Sequence, residues 1–434
     1  MKSRVIDTSL DNLREVLLKK QLITLSISCK GVEAESIHYQ QRETGEGTIF
    51  YFVNLNQDER CDAEISIYNK TTEVLMMKAE TGEIVPADYR NRGENTYFSL
   101  FFEPMQSYLI LVKDQDVERC INSEAVNREY ISCQGKWDIE KMELNSLTLD
   151  QCFYKIDNGP LNGPISVIKL QEMLLDLQRE CIIEMIFNFE VDMDLEKNKE
   201  FYAVIEEASL YKIEVNGNHI PTKIAGYWKD RSFKKVDIKP WILEGKNQIK
   251  LITTFKQSQK VYDVLYGDNV YETELNKLTY DMEIENIYLL GDFGVFSKGS
   301  FEMIERNAMF TDGPFVLVDQ PEHFPDGDFT TNGLLFFAGQ LWVSKSLNIN
   351  NDKKKKIILE IGKQHAPLVK VYLNGSLVKD SMWAPYEVDI TDYVVEGENK
   401  ILLHFFSSNR NLFGPHHHID GECYNVGPDS FTGK

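Results

Sequence analysis

Two stretches of this chain follow one plan, and that repeat limits the fold more than any other feature. In residues 369–410 a β-branched and aromatic run, 369–373, is followed by Asn374-Gly375. Both residues accept the positive φ that a tight hairpin requires, so a strand and its turn are expected there. An aromatic loop with Trp383, Pro385 and Tyr386 comes next, then a short VDIT strand at 388–391. The turn Glu396-Gly397-Glu398-Asn399 and a strand over 400–406 complete the unit. Residues 211–255 repeat the order with Asn216-Gly217, Trp228, Val236-Asp237-Ile238 and Glu244-Gly245-Lys246-Asn247. Asp237 to Gly245 and Asp389 to Gly397 are both eight positions, while Gly217 to Asp237 (20) exceeds Gly375 to Asp389 (14) by six. Fixed strand-to-turn spacing with a variable loop indicates two related β-domains.

The remaining chain is read around that pair. A short amphipathic helix is expected over 1–20, with Leu10, Leu13, Val16 and Leu17 on one face. Alternating, β-rich runs at 22–29, 48–55, 61–68, 96–102 and 107–112 predict an N-terminal β-sandwich. Residues 113–129 read as a linker, and 165–177 has helical periodicity. The fold class expected is all-β: tandem β-sandwiches, two jelly rolls after an N-terminal β-sandwich. The domains expected are 1–115, 130–300 and 310–434, the last cut short at its end. Four lysines at 353–356 read as a solvated hairpin tip or a basic docking patch.

A formal charge of −21 over 434 residues repels a phosphate backbone, which excludes nucleic acid as an expected partner. No run of 18 apolar residues occurs, so no membrane helix is expected, and the N-terminus has no apolar core for a leader peptide. Seven cysteines at irregular spacing, with no CxxC, suit buried free thiols in a reducing compartment, so the cytoplasm is the expected location.

The NG hairpin, aromatic loop, VDI strand and EGxN turn resemble the galactose-binding-like jelly roll. That module is attached to many glycoside hydrolases, including family 2 and the family 106 α-L-rhamnosidase-like enzymes. HYQQRETGEGTIFYFVNLN at 38–56, with the later ETGEI turn, resembles the β-domain that follows the catalytic barrel in those enzymes. The resemblance implies that the leading helix closes a barrel, and that the chain starts where a catalytic domain ends. It implies a non-catalytic accessory part of a glycoside hydrolase, with a carbohydrate and a missing catalytic barrel as partners.

Chemical motifs are sparse. The chain has no GxGxxG before a helix, P-loop, HExxH or GxSxG, and no alternating βα units for a barrel. No catalytic residue, metal or cofactor is therefore assigned. The alternative is a self-sufficient glycoside hydrolase whose acid pair lies between the jelly rolls, since glycosidases need two carboxylates. Asp312, Asp319 and Glu322, in a proline-bearing linker, read as solvated surface acids. His416, His418, Asp420 and Glu422 share one side of an extended segment, which is a metal-type set. Their spacing matches no known zinc site, so a polar loop is favoured. GPHHHxDGE and VGPxSF resemble a recurring end-piece of the same enzyme family. For sugar contact the candidates are Trp228, Trp383, Tyr386, Asn409, Arg410, His416, His418, Asp420 and Glu422. Aromatic rings stack on a pyranose face while amide, acid and guanidinium groups bond its hydroxyls. The competing reading is that the aromatics cap the sandwich cores.

Overall fold

The computed structural model describes residues 25–415, apart from 69–70, 72, 80, 114–126, 269, 304–308, 312, 326–327, 351–354 and 363–365. The expected leading helix, Asp312, most of the 113–129 linker, and His416, His418, Asp420 and Glu422 lie outside the described residues. The chain divides into two compact units: Met1–Cys133 with Asn350–Lys363 and Ser376–Glu396, and Gln134–Ile349 with Gln364–Gly375 and Gly397–Lys434.

The first unit contains a β-sandwich. One sheet runs in the order Val32–Glu33, Leu25–Cys29, Cys61–Ile67, Asn95–Phe102, Tyr89–Arg92. The other runs Ile37–Thr44, Gly47–Asn54, Ser107–Lys113, Glu73–Met77, Ile84–Pro86. Period-2 alternation turns Cys61, Ala63, Ile65 and Ile67 inward, onto Phe52, Phe98, Phe102 and Ile110. A small sheet in the same unit orders Arg128–Ser132, Lys356–Glu360 and Glu387–Asp389, the first pair parallel. Of the lysine run, Lys355 and Lys356 are described, and they pair with Glu129 at 3.2 Å and Asp389 at 3.0 Å.

The second unit is built on longer strands. One sheet orders Asn145–Leu149, Ile287–Gly291, Phe201–Glu206, Asp230–Asp237 and Ile224–Trp228. Facing it, Asn162–Ser166, Gln151–Ile156, Cys181–Asp192, Gly245–Phe255, Lys212–Val215 and Asn218–His219 lie side by side. Phe187, Phe201, Phe255, Phe293, Ile213 and Leu289 are fully buried in the core of this unit. The helix expected over 165–177 forms as Val167–Asp176 and buries Val167, Leu170, Leu174 and Leu175, an i, i+3, i+7, i+8 stripe. A further sheet carries His323–Phe324, Trp137–Met142, Gln340–Ile349, Gly397–Phe406 and Leu368–Leu373 in that order. The fold is therefore all-β in its sheets, as the alternating runs implied, with no β/α barrel among the described residues.

The repeat is visible atom by atom. Asn216 (φ 50°) and Asn374 (φ 50°) hold the left-handed conformation, each followed by a glycine at φ 79° and 85°. In the first copy the Asn216 side chain donates to Asn247 Oδ1 at 2.8 Å, and its Oδ1 accepts from Gln248 N at 2.9 Å. In the second, Asn374 donates to Asn399 Oδ1 at 2.8 Å and accepts from Lys400 N at 3.0 Å. Asn247 and Asn399 each donate back to the glycine that opens their strand, Gly245 O at 3.0 Å and Gly397 O at 2.9 Å. Asp237 and Asp389 both end a strand, and each accepts from the backbone N–H two residues on, at 3.1 and 3.2 Å.

Asn399 is fully buried, and removing its amide takes away both the bond it accepts from Asn374 Nδ2 and the bond it donates to Gly397 O. Asn399→Ala should lower unfolding free energy by about 1–3 kcal/mol. The check is the urea midpoint of the full chain at unchanged slope.

Candidate functional site

A cavity of about 540 Å³ opens in the second unit, within the size range of small-molecule sites. Strand register builds it. Asn188, Phe189 and Glu190 lie on Cys181–Asp192, directly opposite Gln248, Asn247 and Lys246 on Gly245–Phe255. The strand Phe315–Asp319 joins alongside in parallel, with Val316 opposite Glu190, and brings Phe315 and Pro314 to the wall. The corner between Asn145–Leu149 and Gln151–Ile156 supplies Thr148, Asp150 and Gln151.

Several of these groups are held in place. Asn247 is spent on the turn, donating to Leu243 O at 2.6 Å and to Gly245 O. Thr148 Oγ1 donates to Leu412 O, and the Phe315 ring stands edge-on to Phe336 at 5.0 Å. Glu190 accepts from Lys298 Nζ at 2.8 Å, while Asn188 Oδ1 accepts from Gln248 Nε2 at 3.3 Å. The wall thus combines primary amides, two carboxylates, an ammonium group and two phenylalanines. Such a set offers both donors and acceptors, with acceptors in excess, beside apolar side chains.

A second cluster, at the end of the Phe201–Glu206 strand, is acidic. Burial pushes the Glu285 carboxyl up to about 7, and repulsion from Glu206 and Glu283 adds to the rise. Glu206 is raised as well, by burial first and then by Glu283, Glu207 and Asp230, although Ser232 bonds its charged form. Tyr288, pushed up to about 12 mainly by burial, faces the same two glutamates. Trp228 packs edge-on against Tyr288 at 5.5 Å, so this ring covers the sheet.

The other residues singled out from sequence fall elsewhere. Trp383 is 41% exposed and Tyr386 half-buried in the first unit, where Tyr386 O accepts from Ile361 N at 3.0 Å. Asn409 and Arg410 belong to a short 3₁₀ turn, Asn409–Phe413, in the second unit, with the Arg410 guanidinium 5.7 Å from the Phe413 ring. None of these four, nor Trp228, lines the 540 Å³ cavity. The cavity residues come from four separated stretches, and no single motif announces them.

Because folding raises the Glu285 carboxyl above its ordinary 4.5, the native chain binds a proton that the unfolded chain releases. Stability should therefore fall as pH rises from about 4.5 through 7 and stay lower above that. For a half-buried, partly screened carboxyl the loss is on the order of 1–2 kcal/mol. Comparing Glu285→Gln with the parent at pH 5.5 and pH 8, by chemical denaturation, isolates this contribution from other titrating groups: the variant should show the shallower slope.

No protein-family model matches the chain, and no curated protein matches it. Among solved structures it is similar to a rhamnosidase from Novosphingobium sp. PP1Y, at 16% identity and a TM-score of 0.22, covering 64% of this chain and 26% of that one. It is also similar to a β-D-mannosidase from Dictyoglomus thermophilum, at 11% identity and 0.23, covering 61% and 31%. A third is the Streptomyces avermitilis α-L-rhamnosidase complexed with L-rhamnose, at 10% identity and 0.19, covering 93% and 40%. The chain spans less than half the length of each of these proteins.

Proposed function

We propose that this chain is a carbohydrate-binding, non-catalytic part of a glycoside hydrolase of α-L-rhamnosidase-like type, acting beside a catalytic barrel. The observation that carries the reading is the cavity walled by Gln151, Asn188, Glu190, Lys246 and Phe315, whose mixed donors and acceptors fit the hydroxyls of a pyranose. The repeated NG and EGxN turns supply the family context. Cys29, Cys61, Cys152 and Cys181 are free thiols, and burial pushes Cys152 up to about 12, which suits a reducing cytoplasm. No helix among the described residues is long and apolar enough to cross a membrane.

Titrating the isotope-labelled chain with L-rhamnose and D-galactose, followed by NMR, tests the reading. Saturable shifts should appear around Gln151, Asn188 and Lys246 with a dissociation constant of about 1 mM, since one open site buries few hydroxyls. Asn188→Ala should weaken them at least fivefold. A curve that this substitution leaves unchanged, or no saturable shift for either sugar, counts against the site.

A second reading, a self-sufficient hydrolase, draws on Glu285, which keeps its proton near neutrality beside Glu206, the pattern of an acid and its partner. The first reading expects no turnover of aryl rhamnosides by this chain above a buffer blank. Turnover that disappears in Glu285→Gln and Glu206→Gln would favour the second.

A further inference from the structure

The N-terminal sandwich carries a cavity of its own, of about 460 Å³, lined by Glu64, Met76, Asp88, Arg90, Tyr97 and Ser99 among others. It sits where strand pairing runs out. Tyr89–Arg92 pairs with Asn95–Phe102 only as far as Tyr89 opposite Phe98, whereas Asn95–Phe102 continues along Cys61–Ile67 to Phe102 opposite Cys61. The residues just before Tyr89 belong to the other sheet, where Ala87 N donates to Val74 O at 2.9 Å. The departure of the chain leaves a gap with Met76 and Leu100 on its wall and polar groups on its lip.

On that lip Arg90 Nη2 bonds Glu64 Oε2 at 2.5 Å, and the guanidinium lies 5.8 Å from the Tyr97 ring centroid. Both partners are about half exposed, 53% and 46%, so the ion pair adds little to stability. What it does offer is alignment. A guanidinium has five donors and a carboxylate about four acceptor positions, and one contact consumes one of each. The remainder place donors beside acceptors, near an aromatic ring and an apolar wall. A free anion meets Glu64 and Asp88 and is repelled. An added peptide strand would need the backbone of this stretch, yet Phe101 O already accepts from the Tyr108 hydroxyl at 2.7 Å. Two neighbouring hydroxyls on a sugar ring use these donors and acceptors together.

We propose that this cavity is a second carbohydrate subsite, taking one neutral pyranose through vicinal hydroxyls, so that the chain engages a glycan at two points. The inference rests on the carbohydrate reading above and extends it from one unit to both.

The same NMR titration with L-rhamnose and D-galactose separates the two claims. Two sets of saturable shifts are expected, one at Gln151, Asn188 and Lys246, the other at Arg90, Tyr97 and Ser99. Arg90→Lys and Glu64→Gln should each weaken the second set at least fivefold while leaving the first set and the thermal midpoint unchanged. Shifts confined to the first set overturn this inference and leave the first site standing. Shifts confined to the second set keep the inference and overturn the first site. Their absence from both sites overturns both.

Discussion

The second unit depends on one buried amide in each repeat copy, bonded to the asparagine of the hairpin turn. Asn247 and Asn399 sit at the start of two long strands, Gly245–Phe255 and Gly397–Phe406, and tie each to a neighbouring hairpin turn. With its two partners fixed, the long strand cannot slip by one residue, a slip that would send its whole apolar face to solvent. Ile249, Leu251 and Phe255 stay inward for that reason, as do Ile401, Leu403 and Phe405. The same bonds set the cavity. Lys246 precedes Asn247, so holding Asn247 also holds Lys246 opposite Glu190. The turn that gives the fold its register therefore delivers one wall of the candidate site.

Charge acts on a different part of the same unit. The chain is strongly acidic, yet at the cavity a carboxylate is neutralised by Lys298 and another cation, Lys246, stands beside it. At the end of Phe201–Glu206, burial, and then repulsion from Glu206 and Glu283, pushes the Glu285 carboxyl up to about 7. Local pairing, rather than net charge, decides which carboxylates keep their charge. That contrast keeps the candidate binding wall electrostatically mixed in a chain of net charge −21.

The local half of the fold could be read from the residues. Period-2 alternation marks Cys61–Ile67 and Leu368–Leu373, and Asn-Gly marks both hairpins, because these signals depend on neighbours a few positions away. Pairing over long distances could not be read. Trp137–Met142 pairs with Gln340–Ile349, far along the chain, and Arg128–Ser132 runs parallel to Lys356–Glu360. The candidate cavity was hidden for the same reason, since Asp150, Asn188, Lys246 and Phe315 meet only through register. Trp228 reads from sequence either as a sugar contact or as a cap on the sandwich core, and its ring rests on Tyr288. An aromatic in a turn-rich stretch signals a place where apolar surface must be covered, and only coordinates say whether a ligand or the sheet covers it.

The two copies also show which parts of the plan are free to change. Register aligns Glu190 and Lys246 of the first copy with Asn348 and Glu398 of the second, and Asn188 and Phe189 with Ser346 and Leu347. The opposite-charge pair becomes an amide and an acid, the aromatic ring becomes aliphatic, and the amide becomes a hydroxyl. Lys400, which takes the place of Gln248, is drawn off to Glu140 at 2.5 Å. The amide clasp survives all of this with bond lengths within 0.1 Å between copies. Backbone satisfaction at the turn is required by the fold, whereas the residues beside it answer only to what the wall must contact. A duplicated scaffold of this kind can keep one register and carry different chemistry in each copy.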